Sequence, residues 1–320
     1  MSENVLVITG PTATGKTALS VALAKKLNGE IVSADSMQIY RGMDIGTAKV
    51  TTEEMAGIPH HLIDVAEPTE NFSVSRYVDL ASSSCDDILS RGKVPVIVGG
   101  TGLYVDSLLS GRTFAERSPE ENDVRQKLNE EYESLGAAVL WDRLKSIDPE
   151  RAEKLSPNDK KRIVRALEIY QLTGKTISQH DKETRRLPPR YRSLRFALDF
   201  NDREVLYQRI NDRVDTMVEN GLFEEVDLLL KKGLSPECTA MQAIGYKEPA
   251  MALRGTITRE DAIEQIKKES RRYAKRQLTW LRRDPDLQWI RWETAPNISE
   301  AVDFCSRCWD VFISEQEVKE

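Results

Sequence analysis

The chain of 320 residues is 40% hydrophobic and carries a formal net charge of −6 at pH 7, which supplies a core for one large domain or two smaller ones. No run approaches eighteen uninterrupted apolar residues, and the start Met1-Ser2-Glu3-Asn4 lacks the basic and apolar regions of an export signal, so no membrane partner is expected and a cytoplasmic protein is. Four scattered cysteines, Cys85, Cys238, Cys305 and Cys308, exclude a disulfide framework.

Along the chain, Val5–Thr9 reads as a strand, Gly15 to Leu27 as a helix, Glu30–Ala34 and His61–Val65 as strands, Ser73 to Arg91 as a helix, and Val94–Val98 as a strand. Continuous Val/Ile runs alternating with helical patterns imply strands buried on both faces and joined by right-handed crossovers. From Thr113 to Arg192 the texture is charged and helix-periodic, ending at Leu187-Pro188-Pro189-Arg190, where no helix can continue. Leu194–Phe200 then reads as a strand, and the pattern Val205, Ile210, Val214, Met217, Val218 as a helix capped by Gly221. Gly245, Pro249 and Gly255 interrupt the next stretch before a basic helix from Thr258 to Leu281, a late strand at Leu287–Trp292 and a closing helix. This order predicts an α/β fold, a P-loop NTPase-like (kinase-like) doubly wound parallel sheet. Residues 1–112 and 193–320 would form the core, with a helical insertion at 113–192.

The strongest local signal is Gly10-Pro11-Thr12-Ala13-Thr14-Gly15-Lys16-Thr17, which matches G-x-x-x-x-G-K-[ST] between a buried strand and a helix. Backbone N–H groups, the helix start and the Lys16 ammonium suit an anion, and Thr17 is placed to hold a magnesium ion. Whether a nucleotide such as ATP occupies this loop is left open by the pattern. Asp35 ends the second strand run, where a carboxylate can hold magnesium through water, accept a proton, or simply cap a turn. Ser36 and Gln38 beside it offer hydrogen bonds, and Gln suits an adenine edge. Gly99-Gly100-Thr101-Gly102-Leu103-Tyr104 closes another strand, with Thr101 either at the phosphate site or an N-cap. Arg209 and Arg213, one helical turn apart, can face the phosphates together or lie in solvent. His60 and His61 are adjacent and point apart, so they make a poor metal pair. Cys305 and Cys308 fall on the apolar stripe Ile298, Val302, Cys305, Trp309, Phe312 and read as helix core.

The charge is unevenly spread. Lys160 to Arg195 holds eleven Lys/Arg against three Asp/Glu, and Lys267 to Arg283 eight against one, so these stretches carry +15 and the remainder −21. Such asymmetry suits a polyanion bound in a defined groove, although a single run is also what a solvated helix face looks like.

Together with the P-loop and Gly99–Tyr104, the segments Asp35-Ser36-Met37-Gln38-Ile39-Tyr40, Asp44-Ile45-Gly46-Thr47-Ala48-Lys49, Ala243-Ile244-Gly245-Tyr246-Lys247-Glu248 and Arg272-Tyr273-Ala274-Lys275-Arg276-Gln277 make the chain resemble the tRNA dimethylallyltransferase (tRNA isopentenyltransferase) family, bacterial type, over nearly its whole length. The resemblance implies transfer of a dimethylallyl group from dimethylallyl diphosphate to the exocyclic amine of the adenosine 3′ of a tRNA anticodon, with pyrophosphate released. It implies that residues 10–17 hold the diphosphate with Mg2+, that Asp35 is the general base, and that Thr101 lies near the reacting centre. Residues 35–38, Met37 included, and the stretch Lys161-Arg162-Ile163-Val164-Arg165 would contact tRNA. A monomer is expected. Three rivals stay open: a small-molecule P-loop kinase, a prenyltransferase acting on free AMP or ADP, and a non-catalytic nucleotide switch. The long basic insertion and the basic helix argue against the first two, because a small acceptor needs neither.

Overall fold

The computed structural model describes residues 3–111, 119–184 and 188–317. The chain divides into two compact units, Met1–Leu109 with Tyr191–Glu320, and Ser110–Arg190. The boundary read at 112/113 and the residue Leu187 lie outside the described residues.

In the first unit the order is β1 (Asn4–Thr9), α1 (Lys16–Lys26), β2 (Gly29–Ser33), α2 (Thr52–Met55), β3 (His60–His61), α3 (Val74–Ser90), β4 (Val94–Gly99) and α4 (Gly102–Leu109). The second unit is helical: α5 (Pro119–Leu135), α6 (Ala137–Ile147), α7 (Pro149–Ala152), α8 (Lys160–Thr173) and α9 (Ile177–Thr184). The chain returns to the first unit with β5 (Arg192–Phe200), α10 (Arg203–Glu219), α11 (Leu222–Lys231), α12 (Lys247–Leu253), α13 (Arg259–Leu281), β6 (Gln288–Trp292) and α14 (Ile298–Glu317).

The six strands of the described residues form one sheet in the order β3-β2-β4-β1-β5-β6, every pair parallel. Because side chains alternate across a strand, each central strand buries residues on both faces. Leu6, Ile8, Val96, Phe196 and Leu198 meet Leu19 and Leu23 of α1 and Cys305 and Trp309 of α14 in one core cluster. Val5, Val7, Val32 and Ile97 are equally buried and point to the other face, where α3 packs on β2 and β4. The C-x-x-C pair is therefore helix packing: Cys305 is fully buried, and that burial pushes its thiol up to about 12.

Two sequence expectations need correction. The strand read over His61–Val65 stops after His61, because Leu62 (φ 65) and Asp64 (φ 56) take left-handed backbone that breaks a strand. Asp64 is instead turned to Lys49 at 2.6 Å. Gly221 (φ 96) does end α10, just beyond the cap residue Asn220, but it also starts α11, which the sequence reading passed over.

The second unit has its own core of Leu128, Leu140, Leu144, Ile163, Val164 and Leu167. Glu168 is fully buried there and is held by Arg125 at 2.8 Å and Arg165 at 3.1 Å.

One ion cluster pins the amino-terminal part of β2. The Glu30 side chain, 3% exposed, accepts both guanidinium arms of Arg91 and also meets Lys93 at 2.7 Å and His61 at 2.8 Å. The Arg91 hydrogen bond, followed by those from Lys93 and His61, outweighs burial and holds this carboxyl well below the usual carboxylate range. A depressed folded-state pKa gives stability that is present above the unfolded-state value and lost as pH falls. Glu30→Gln is expected to cost about 1–3 kcal/mol at pH 7, less than for a fully buried pair because the three cations reach water. It should also flatten the loss of stability below about pH 4.5. Urea unfolding of both forms from pH 7 to pH 3 checks this; equal stabilities throughout would remove the cluster from the stability account.

Candidate active site

Parallel strands place all their carboxyl ends on one side. Thr9 is in register with Gly99 and Ala197, and Ser33 with Val98, so the loops after β1, β2 and β4 converge. β1 lies between β4 and β5, the point where the chain leaves the sheet in opposite directions and where such sheets take ligands.

The loop Gly10–Thr17 wraps this point. Pro11 O accepts from Thr14 Oγ1 at 2.8 Å and from Lys16 Nζ at 2.7 Å. Trp292 Nε1 donates to Thr14 O at 2.9 Å, and Arg209 Nε to Ala13 O at 3.1 Å, so the outer side of the loop is tied to β6 and α10. Thr12 is half-buried and Thr17 is exposed at the start of α1. Arg209 thus braces the loop backbone instead of lying free in solvent, with its guanidinium 5.4 Å from the Phe200 ring.

Arg213 has a different place. Its Nη2 donates to Ala48 O at 3.4 Å, while its Nε is buried with no hydrogen-bond partner among the described residues. Its pKa is lowered by burial, against the attraction of Asp35 and Glu54. Lys16 is pushed down to about 7, first by desolvation and then by Arg213, with Asp35 opposing. Two half-buried cations that repel each other form a site that favours a multiply charged anion.

Across the crevice, Asp35 Oδ1 accepts from Met37 N at 2.8 Å and Gln38 N at 3.3 Å, which fixes the carboxylate and turns the chain after β2. Thr101 Oγ1 accepts from Ser36 N at 3.1 Å and lies 3.3 Å from Ser36 Oγ. The Thr101 hydroxyl therefore bridges to the Asp35 loop, while its carbonyl opens the first turn of α4, accepting from Tyr104 N at 2.9 Å. Gln38 Nε2 donates to Thr47 O at 3.4 Å and Ala48 O at 3.3 Å, which orients its amide and leaves the carbonyl oxygen as an acceptor for a ligand. The structure thus brings together residues 10–17, Asp35, Ser36, Met37, Gln38, Thr101, Arg209 and Arg213.

The basic helix α13 forms one wall, which the sequence reading did not assign. Gln277 Nε2 donates to Gly100 O at 2.9 Å, and Trp280 Nε1 to Asp106 Oδ2 at 2.9 Å. A Cβ on Gly100 would lie 2.1 Å from Gln277 Nε2, and one on Gly102 2.4 Å from the Trp280 ring, so these glycines admit α13. Tyr273 reaches the same place from α13. Its hydroxyl is pushed up by burial and by Asp35, with a contact to Thr101 opposing.

Of the stretch 161–165, Ile163 and Val164 are core residues of the second unit, so only Lys161, Arg162 and Arg165 there offer side chains to a partner. Lys160 pairs with Glu133, Arg162 with Asp159 and Arg165 with Glu168. On α13, Lys268 and Lys275 make no ion pair among the described residues, nor does Arg282 just past its end, so more of the charge on this helix is left for a partner. His61 serves Glu30 and His60 Nδ1 contacts Ile58 O at 2.8 Å. Among the described residues no three His, Cys, Asp or Glu side chains gather as a metal cage.

With this geometry in place, comparison with known proteins is decisive. A family model described as IPP transferase matches residues 38–284, and one described as Isopentenyl transferase matches residues 3–70. The chain belongs to the IPP transferase family. A tRNA dimethylallyltransferase of Thermoanaerobacter sp. (strain X514) is 50% identical over 301 residues, covering 94% of this chain and 95% of the relative. That of Halalkalibacterium halodurans is 48% identical, covering 91% of each. The crystal structure of the full-length tRNA isopentenylpyrophosphate transferase from Bacillus halodurans superposes with a TM-score of 0.73 at 43% identity, covering 99% of this chain and 100% of that one. A eukaryotic dimethylallyltransferase acting on tRNA superposes with a TM-score of 0.78 at 33% identity, covering 99% of this chain and 78% of that one. The fold is that of the P-loop NTPase-like tRNA isopentenyltransferases, as the sequence led us to expect.

An anion in the loop would favour the charged form of Lys16, which in the free protein is full only below about pH 7. Affinity for inorganic pyrophosphate is therefore expected to fall as pH rises through 7, by up to about tenfold per pH unit, with proton uptake on binding. Calorimetry in buffers of different ionisation enthalpy, with Lys16→Met as reference for the ligand's own titration, measures it. The same proton count for both proteins would contradict this role.

Proposed function

We propose that the protein transfers a dimethylallyl group from dimethylallyl diphosphate to the exocyclic amine of the adenosine 3′ of a tRNA anticodon. The observation that carries this reading is the pairing of an anion cradle, Lys16 and Arg213 at the P-loop, with a carboxylate and hydroxyl, Asp35 and Thr101, across one crevice. Family membership supplies the substrates by analogy with the relatives named above.

In this reading the amine nitrogen forms a bond to the allylic carbon as the carbon–oxygen bond to the diphosphate breaks. Pyrophosphate leaves with the bonding electrons, and Asp35 takes the amine proton. Lys16, Arg213 and the loop N–H groups offset the charge growing on the leaving oxygens, while Thr101 and Gln38 orient the adenine. The donor set suits Mg2+, which prefers phosphate oxygens and water to an all-protein cage, with Thr17 the hydroxyl that would hold it. Bound there, the ion would neutralise diphosphate charge. The base must leave its stack at a cost of roughly a few kcal/mol, which phosphate contacts from α13 and from Lys161, Arg162 and Arg165 can offset. No described helix is long and apolar enough to cross a membrane; we place the enzyme in the cytoplasm, as a monomer.

Purified protein with magnesium and without ATP is expected to move label from dimethylallyl diphosphate to tRNA. Transfer to free AMP alone would sink the tRNA reading, and phosphoryl transfer from ATP would favour a kinase. Asp35→Ala should slow single-turnover transfer by about two to four orders of magnitude; a near-normal rate would take the base role from it. Binding of tRNA should weaken steeply between 50 and 200 mM salt, by roughly tenfold or more, whereas a flat response would make the basic runs solvated faces.

A further inference from the structure

The largely half-buried segment Asp44–Lys49 is bound from both ends. Glu225 of α11 accepts from three successive backbone N–H groups, Asp44 at 2.9 Å and Ile45 at 2.8 Å on one oxygen and Gly46 at 3.1 Å on the other. The second oxygen also accepts from Tyr246 Oη at 2.6 Å. Tyr246 is fully buried, and a Cβ on Gly46 would lie 2.4 Å from its ring, so the loop rests directly on the aromatic face. From the other end, Lys49, its side chain 6% exposed, is held by Asp44, Asp64 and Tyr40 O.

What this loop presents is the Ala48 carbonyl. It accepts from Gln38 Nε2 at 3.3 Å and from Arg213 Nη2 at 3.4 Å. Gln38 stands on the acceptor side of the crevice, next to Asp35, and Arg213 on the cradle side, next to Lys16. One backbone oxygen is therefore the common partner of two side chains that serve the two substrates. An oxygen has two lone pairs, so it can hold both donors only while the loop keeps its place.

We propose that Glu225, seated by Tyr246, is a positioning residue. By fixing the loop 44–48 it lets the Ala48 carbonyl couple the acceptor-base contact of Gln38 to the diphosphate contact of Arg213. This rests on the reading of the site given under Proposed function. The coupling makes the two contacts interdependent. Ordering of Arg213 by the diphosphate loads the same carbonyl that orients the Gln38 amide, so the donor prepares the seat of the acceptor base. A merely structural Glu225 would lower stability and leave the two contacts independent of each other.

A double-mutant cycle on kcat/KM for labelled transfer to tRNA tests this. Gln38→Ala and Arg213→Ala are combined, first in the otherwise native chain and then with Glu225→Ala. In the native background the losses should be non-additive by about threefold to tenfold, a common size for residues sharing a partner. With Glu225→Ala the same cycle should become additive within about twofold. Gly46→Ala, which forces the loop off the Tyr246 ring, should also abolish the coupling. If Glu225→Ala does not fold, Glu225→Gln takes its place, since its amide confronts the loop N–H groups with donors of its own. Additivity in the native background, or coupling that survives both loop variants, overturns the proposal. Absence of transfer by the native chain would instead refute the functional reading itself.

Discussion

The site depends on two half-buried cations placed beside each other near the end of β1. Burial lowers the affinity of both for a proton and Arg213 lowers that of Lys16 further, while Asp35 opposes the shift in each. In the free protein the strain is taken up locally, by Lys16 on Pro11 O and Arg213 on Ala48 O. Each carbonyl takes one donor of its cation, so both cations keep further N–H groups that an anion could use.

Everything around that pair serves to keep it in place. The parallel sheet delivers the loop, Asp35 and Thr101 to one edge, and its register sets their spacing. Elements distant in the chain then lock them: Trp292 and Arg209 hold the loop from behind, and Gln277 and Trp280 close over the glycines after β4. The loop, Asp35 and Thr101 thus sit on short turns whose backbones are held by rigid neighbours, which is how a loop site gains precision.

The P-loop was legible because its chemistry is contiguous, and Asp35 and Thr101 because they terminate strand runs that apolar composition makes plain. The second wall was not legible. Gln277 reaches Gly100 across 177 positions and Trp292 reaches Thr14 across 278, and no local pattern announces such pairs. The traces were indirect: Gly100 and Gly102 asked for something bulky pressed against them, which α13 supplied, and Arg272–Gln277 was a motif of the resemblance with no place in the site assigned to it. Glu225 was hidden because α11 was overlooked. Gly221 read as the end of one helix, whereas it ends one and begins the next. The strand read at residues 61–65 failed for the opposite reason, since an apolar run says nothing of the left-handed turns at Leu62 and Asp64. For the basic stretch at 161–165, composition could not tell charges spent on neighbouring carboxylates from charges left for a partner.

Glu30 and Asp35 belong to the same strand and its exit, five positions apart, or roughly 16 Å along extended chain. One end of β2 anchors the fold through a closed knot of opposite charges; the other presents a carboxylate to the crevice. Where a fold keeps its anchorage and its chemistry at opposite ends of a strand, each can drift in sequence without disturbing the other. The trade-off between robustness and turnover that constrains many catalysts is correspondingly relaxed. The knot around Glu30 is therefore a place where heat tolerance can be gained or lost while Asp35 and its neighbours stay as they are.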